Sequence, residues 1–331
     1  VFLDRPTKNE QLNVTSGNQR GVTVEKIEEL IKNRVSRRKF LAGVGSGLGT
    51  TAALSLAAGC GGGSSSTLAP PATTPAPTTT AAPAITDADI FNFALNLEYL
   101  EAEFYLRAVT GSGLPAANIG ANPGAVTGGA AVPFKTPAIQ AYATEIANDE
   151  MAHVLFLRQA LGSAAVDRPA IDLLNSFNAA AAAAGIGSSF NPFADEDSFI
   201  VGAFVFEDVG VTAYHGAASL ISSGTNLAYA AGIYATEAYH AGEIRTLIAE
   251  LGDPYLTYAN QISALRAAAG GGAETPVSGS TIVAADSNSI AYDRTTDQVL
   301  HIVYLDATAG VVSKGGFFPN GLNGAITAST T

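Results

Sequence analysis

The 331-residue chain has no tryptophan, one cysteine and one methionine, and only 14% of it is charged. A single cysteine, Cys60, cannot form an internal disulfide, and it excludes a zinc knuckle or a rubredoxin-type cysteine cluster. Basic residues are scarce beyond the N-terminus. Nine of the 17 Lys and Arg residues, with five of the 29 acidic ones, lie before Cys60. From Cys60 onward that leaves eight basic and 24 acidic residues, a formal charge of −16. With that sign and no basic stripe, nucleic acid is excluded as a partner. The run Ala42 to Ala58 is too rich in Gly, Ser and Thr for a membrane span, which takes about 20 strongly apolar residues. What is present is a 47% hydrophobic chain, enough for one substantial core with a small appended unit.

Residues 36–41 read Ser-Arg-Arg-Lys-Phe-Leu ahead of that weakly apolar run. Arg37 and Arg38, followed by Phe40 and Leu41, closely resemble the twin-arginine (Tat) export signal. Residues 1–59 are therefore expected to be a leader and Tat-type signal, with the Tat export machinery as a partner. Tat export carries folded proteins, which goes with a cofactor inserted in the cytoplasm. Leu56-Ala57-Ala58-Gly59-Cys60 resembles a bacterial lipobox, although Ala57 stands where a branched residue is usual. Residues 60–84 are Gly/Ser-rich and then Pro/Thr/Ala-rich, a stretch that cannot bury a core and behaves as a tether. A cysteine at the head of a tether predicts a lipid anchor at Cys60, and a location in the cell envelope, in the periplasm or on the outer face. Soluble export with cleavage nearby accounts for the same residues.

Helical periodicity begins after the capping residues Thr86 and Asp87, with Ile90, Phe93, Ala94, Leu97 and Phe104 predicting a helix to Val109. Thr136-Pro137 supplies a cap and first-turn proline for a second helix to Leu161. Pro169 to Ala184 reads as a crossover helix. Asp195 to Asp197 opens a third main helix to about Ser222, Asn226 to Leu251 is the fourth, and Tyr255 to Ala269 a short fifth. The predicted fold is all-α: an antiparallel four-helix bundle with a crossover over residues 85–270, and a short irregular extension, 271–331, packed on it. An apolar run, Val299–Leu305, lies within that extension.

The chemistry is concentrated in a repeated unit. The second helix holds Glu150-Met151-Ala152-His153 and the fourth holds Glu237-Ala238-Tyr239-His240. Residues three apart share a helix face, so each pair can offer an oxygen and a nitrogen to one metal. The first helix carries Glu98 with Tyr105 seven residues on, and the third carries Glu207 with Tyr214 at the same offset, close to two turns. One Glu from each of two helices plus Glu-x-x-His from each of two more is the di-iron or di-manganese carboxylate arrangement. The expected ligands are Glu98, Glu150, His153, Glu207, Glu237 and His240, holding two Fe or two Mn ions. Their sequence neighbours are apolar, and burying four carboxylates without compensating charge costs several kcal/mol per ion. Glu101 is an alternative ligand on the first helix, but only Glu98 has the tyrosine spacing. Asp149 and Asp208 are candidate acceptors for a ligand histidine N–H. Tyr105 and Tyr214 either donate to the carboxylates or pack the core, and His215 reads as structural.

Four stretches carry a family resemblance: Asn96-Leu97-Glu98-Tyr99-Leu100-Glu101-Ala102-Glu103-Phe104-Tyr105, Asp149-Glu150-Met151-Ala152-His153, Phe206-Glu207-Asp208-Val209-Gly210-Val211-Thr212-Ala213-Tyr214, and Glu237-Ala238-Tyr239-His240. With the C-terminal Gly315-Gly316-Phe317-Phe318-Pro319-Asn320-Gly321, they make the chain similar to the ferritin-like superfamily, specifically its bacterial exported, desiccation-related group. The resemblance covers residues 86–325 and implies metal ligation by the six residues above. It leaves activity open, since the superfamily includes iron stores, peroxidases, manganese catalases and oxygenases.

Three functions follow as expectations. The first is an envelope redox enzyme acting on peroxide or oxygen in stress protection. A rubrerythrin-type peroxidase is disfavoured by the missing cysteine-rich donor module, whereas dismutation needs no donor. The second is metal sequestration, with bulk storage disfavoured because a tethered, lipid-anchored chain does not readily close a shell. The third is a stress protein that uses metal for stability alone.

Overall fold

The computed structural model describes residues 84–330. Arg37, Arg38, Cys60 and the tether up to residue 83 lie outside the described residues.

Helix α1 (Asp87–Thr110) starts at a capping box in which Thr86 and Asp89 satisfy each other's backbone N–H groups. It stops at Gly111, whose φ of 76° is the left-handed conformation that glycine adopts without a Cβ penalty. Helix α2 (Pro137–Leu161) follows a 26-residue connection with little regular structure. Its position before Pro137 suits Thr136 as a cap, but the Thr136 side chain makes no capping bond. Instead the Lys135 and Thr136 N–H groups donate to Glu196 Oε2, at 3.0 and 2.9 Å.

The crossover differs from the sequence expectation. Helix α3 (Asn175–Ala184) begins six residues later than Pro169. Within the intervening residues, β2 (Ile171–Asp172) pairs in parallel with β1 (Val126–Thr127), and Ile171 N–H donates to the Ala125 carbonyl at 2.9 Å. Asp172 then starts α3 by accepting from Leu174 and Asn175 N–H groups at 2.8 and 2.7 Å.

Helix α4 (Glu196–Ala218) and helix α5 (Gly224–Leu251) are joined by only five residues. That turn is held by the Asp87 carboxylate, which accepts from Ser222 N–H, Ser223 N–H and Asn226 Nδ2. Side-chain pairs give the directions. Asn92 donates to the Ala164 carbonyl beyond the end of α2, while Glu98 meets His153, so α1 and α2 run antiparallel. Glu207 with His240 and His215 with Tyr234 establish the same for α4 and α5. Helices α1 and α4 are buried nearly all round: apolar residues occur on every face of each, and Glu98, Glu101, Glu103, Glu207 and Asp208 are buried among them.

Helix α6 (Tyr255–Gly270) packs beside α3, α4 and α5. The extension is not wholly irregular. Helix α7 (Thr296–Val303) opens on a second capping box, Thr295 with Gln298, and turns Val299, Leu300, Ile302 and Val303 inward. Phe317 stacks edge-on against Phe177 and Phe206, at 5.2 and 4.9 Å between ring centroids, joining the aromatic core around Phe104. Among the described residues no helix is long and apolar enough to cross a membrane.

Candidate metal centre

Four helices of the bundle each turn a carboxylate into one place. Glu98 on α1, Glu150 on α2, Glu207 on α4 and Glu237 on α5 are all fully buried. The Glu-x-x-His spacing brings His153 and His240 in from α2 and α5. Two overlapping groups result, each with one ligand atom per residue and all such atoms within 4.8 Å of one another: Glu98, Glu150, His153 and Glu237, then Glu150, Glu207, Glu237 and His240. Glu150 and Glu237 belong to both groups. All six ligand candidates are therefore assembled.

The donors point inward without partners of their own. Both oxygens of Glu150, both of Glu237, Glu207 Oε2 and His240 Nδ1 are buried and make no hydrogen bond. His240 Nδ1 approaches Glu150 Oε1 to 3.0 Å, a contact that lacks hydrogen-bond geometry. Buried polar atoms are normally satisfied, so a cluster of orphans on metal-ligating residue types is what a cation would complete. Carboxylate and imidazole donors together suit first-row divalent metals.

Electrostatics agree. Burial, reinforced by the Glu98 charge, pushes the Glu150 carboxyl up to about 8, and burial with the Glu150 charge does the same to Glu237. Glu207 is also held well above the usual range, by burial and by Glu237, against the pull of His240. Burial would raise Glu98 as well, but the charge and hydrogen bond of His153 bring it below its ordinary value. Burial disfavours charge on both histidines, yet the carboxylates around them, led by Glu98 for His153 and Glu207 for His240, hold both imidazoles above their usual pKa. The site is short of positive charge.

The surrounding residues orient these donors. Tyr105 on α1 donates to Glu207 Oε1 on α4, and Tyr214 on α4 donates to Glu98 Oε1 on α1. Burial and the neighbouring carboxylate charge raise both phenols well above their ordinary range, so they remain donors. Asp149, with a side chain 41% exposed, lies 3.2 Å from His240 Nε2. Asp208 does not reach a histidine. Its carboxylate accepts from Arg245 and Arg266 at 2.8 and 2.7 Å, two buried guanidiniums that α5 and α6 bring against it as charge-assisted donors. His215 Nδ1 lies 3.1 Å from the Tyr292 carbonyl, away from the cluster.

Residues 86–250 match the family model of the ferritin-like domain. A ferritin-like catalase of Nesocodon mauritianus is 30% identical to the chain over 270 residues, covering 72% of the chain and 84% of the relative. The chain belongs to the ferritin-like domain family. A desiccation-related protein of Craterostigma plantagineum is 29% identical over 246 residues, covering 65% of this chain and 76% of that one.

Aligning the two halves of this ferritin-like bundle exposes a break in their symmetry. Helix α1 reads Glu98, Glu101, Tyr105 where α4 reads Glu207, Gly210, Tyr214. Glu101 is buried beside the cluster, where burial and the charges of Glu237 and Glu150 hold its carboxyl well above the usual range. A Cβ at Gly210 would overlap Glu237 Oε2 and lie 3.3 Å from Glu101 Oε1. The signal for Gly210 was present in the repeat itself, at the one position where an acid faces a glycine.

Proposed function

We propose that this ferritin-like protein holds two iron or manganese ions and dismutates hydrogen peroxide in the cell envelope, protecting against oxidative stress. The carrying observation is that Glu150 and Glu237 belong to both ligand groups with every side-chain oxygen buried and free of hydrogen bonds. Glu98, Glu150, His153 and Glu237 would hold one ion, and Glu150, Glu207, Glu237 and His240 the other. Two metals of variable valence, when bound, supply the two-electron cycling by which two peroxides become two waters and one dioxygen. The reaction needs no external electron donor, in keeping with a chain that has one cysteine. A 30%-identical relative that is a ferritin-like catalase supports the choice of peroxide.

The residues of the chain contribute position and proton control. Tyr105 and Tyr214 hold Glu207 and Glu98 in single orientations. Asp149 fixes the ring of His240, leaving Nδ1 facing the cluster. Ile146 and Val154, one turn either side of Glu150 on α2, and Ile233, one turn before Glu237 on α5, are buried and keep the ligand faces of their helices away from bulk water. Arg37 and Arg38 as export signal and Cys60 as lipid-anchored residue complete the reading, placing the bundle on a tether outside the cytoplasm.

Elemental analysis of the natively produced chain is expected to find about two Fe or Mn per protein, as for the paired carboxylate sites of this architecture. A Glu150→Ala/His240→Ala double variant should carry almost none. Purified metal-loaded protein should evolve dioxygen from peroxide faster than the same concentration of free metal. A native chain without metal, or a loaded one without turnover, would sink the proposal.

A stress protein that uses metal only for stability is the second reading, favoured by the likeness to a desiccation-related protein. In that case chelation lowers the melting temperature while the loaded protein consumes no peroxide.

A further inference from the structure

Between α4, α5 and the C-terminal extension lies a cavity of about 110 Å³ that none of the six ligand candidates lines. Asp208 on α4, Arg245 on α5 and Arg294 of the extension form its polar side, all three buried. Ala241 and Ile282 are among its apolar walls. Ala238 and Val283 also line it and are exposed, so the cavity meets solvent.

The polar side is incompletely satisfied in both senses. Asp208 Oδ2 accepts from Arg245 and Arg266, but Asp208 Oδ1 is buried without a hydrogen-bond partner. Of the five N–H donors an arginine carries, Arg245 commits three, to Asp208 and the Ile282 and Thr275 carbonyls. Arg294 also commits three, to Glu274, Thr212 Oγ1 and the Gly271 carbonyl. Charge is unbalanced as well. Arg245, Arg266 and Arg294 are paired with only two carboxylates, Asp208 and Glu274, which leaves one buried positive charge in excess. Burial, with the Arg266 charge beside it, holds Arg294 below the usual arginine value despite Glu274.

Water would fit, at about 10–15 Å³ a molecule, but it brings no charge to offset the surplus guanidinium. A monoanion with a hydroxyl group answers both deficits. Since a cavity of about 150 Å³ holds benzene, this one suits a somewhat smaller molecule, an acid of two or three carbons. We infer that the cavity binds a small hydroxycarboxylate, its carboxylate on the spare N–H groups of Arg245 and Arg294 and its hydroxyl donating to Asp208 Oδ1. The site is separate from the metal centre and does not rest on the catalase reading.

Titration calorimetry on the full chain, with glycolate as the probe, tests this. Glycolate should bind about tenfold more tightly than acetate, which has the charge without the hydroxyl, and ethylene glycol, with hydroxyls and no charge, should not bind. Asp208→Asn keeps an oxygen for Arg245 and Arg266 but turns an NH₂ group to where Oδ1 stood. That variant should still bind both anions and lose the preference for glycolate. A Cβ at Gly242, on the cavity wall, meets no atom within 4 Å, so Gly242→Leu fills the space without a clash and should abolish binding at an unchanged melting temperature. Absence of anion binding, with water alone in the cavity, overturns the inference. So does equal affinity for acetate in the wild type, or a preference that survives Asp208→Asn. Glycolate held by the metals instead would still bind Gly242→Leu, and that result also overturns it.

Discussion

The Tyr214 phenol on α4 donates a hydrogen bond to the Glu98 carboxylate on α1. Tyr105 on α1 donates in the opposite sense to Glu207 on α4. Each central helix therefore positions the metal-facing carboxylate of the other. Removing one phenol leaves a buried carboxylate oxygen without its donor, which costs about 1–3 kcal/mol. Tyr214→Phe and Tyr105→Phe should each lower stability by that amount and weaken metal binding about 10- to 100-fold. Denaturant melts and metal titrations of the two variants measure both. Unchanged affinity would mean that the tyrosines only fill space.

Removing metal should destabilise the bundle, because the buried carboxylates lose their counter-charge. At about pH 9, above the value of about 8 that both carboxyls reach in the metal-free cluster, Glu150→Gln/Glu237→Gln keeps the shape of the site, removes two of its charges and removes the carboxylates common to both ligand groups. Its melting temperature is expected to lie above that of chelated wild type and to show no rise on adding Fe(II) or Mn(II). A variant that melts with the chelated wild type, or responds to metal as the native chain does, contradicts this account.

A second buried charge cluster ties the extension to the bundle. Glu274 accepts from Arg266 and Arg294 at 2.9 and 2.7 Å, and Arg266 also reaches Asp208 while stacking over Phe204. Taking away one member strands buried guanidiniums, at about 3–5 kcal/mol. Glu274→Ala should lose stability of that order and open residues 271–294 to limited proteolysis before the helices unfold. Proteolysis starting elsewhere, with no loss of stability, would assign the segment's attachment to other contacts.

Asp87 makes a prediction about acid. Hydrogen bonds, the Ser222 N–H foremost and then the Asn226 side chain, lower its carboxyl to about 2 from 3.8. A depressed folded-state pKa gives stability that is fully present above about pH 4 and lost as pH falls through 2. Asp87→Ala should therefore melt below wild type at pH 5, with the gap closing towards pH 2. A gap independent of pH would show that the carboxylate charge does not hold the α4–α5 turn.

Much of the site was legible from spacing. Offsets of three and seven residues put Glu150 with His153, Glu237 with His240, Glu98 with Tyr105 and Glu207 with Tyr214 on common helix faces, and helical geometry is local enough to be read from a linear string. The reading was weaker where partners are distant. Asp208, one position from Glu207, reads locally as a candidate acceptor for a ligand histidine. Its true partners, Arg245 and Arg266, are 37 and 58 residues away and adjacent only after α5 and α6 have packed. Helix α3 starts late because residues 171 and 172 pair with 126 and 127, a contact across 45 residues that no local propensity reports.

The tyrosines mark the boundary most clearly. That each shares a face with a glutamate follows from their seven-residue offset, whatever the rest of the chain does. That each donates to the glutamate of the other helix follows from the antiparallel crossing of α1 and α4, which carries each phenol back to the opposite helix's carboxylate. The sequence by itself determined which donors exist and which helix face carries them, because a helix repeats every 3.6 residues regardless of its surroundings. Only the tertiary structure decided which donors meet, that Glu150 and Glu237 belong to both ligand groups, and that Glu237 packs against the α4 backbone at Gly210. Those are consequences of how side chains fill space between helices, and packing is a property of the whole assembled core.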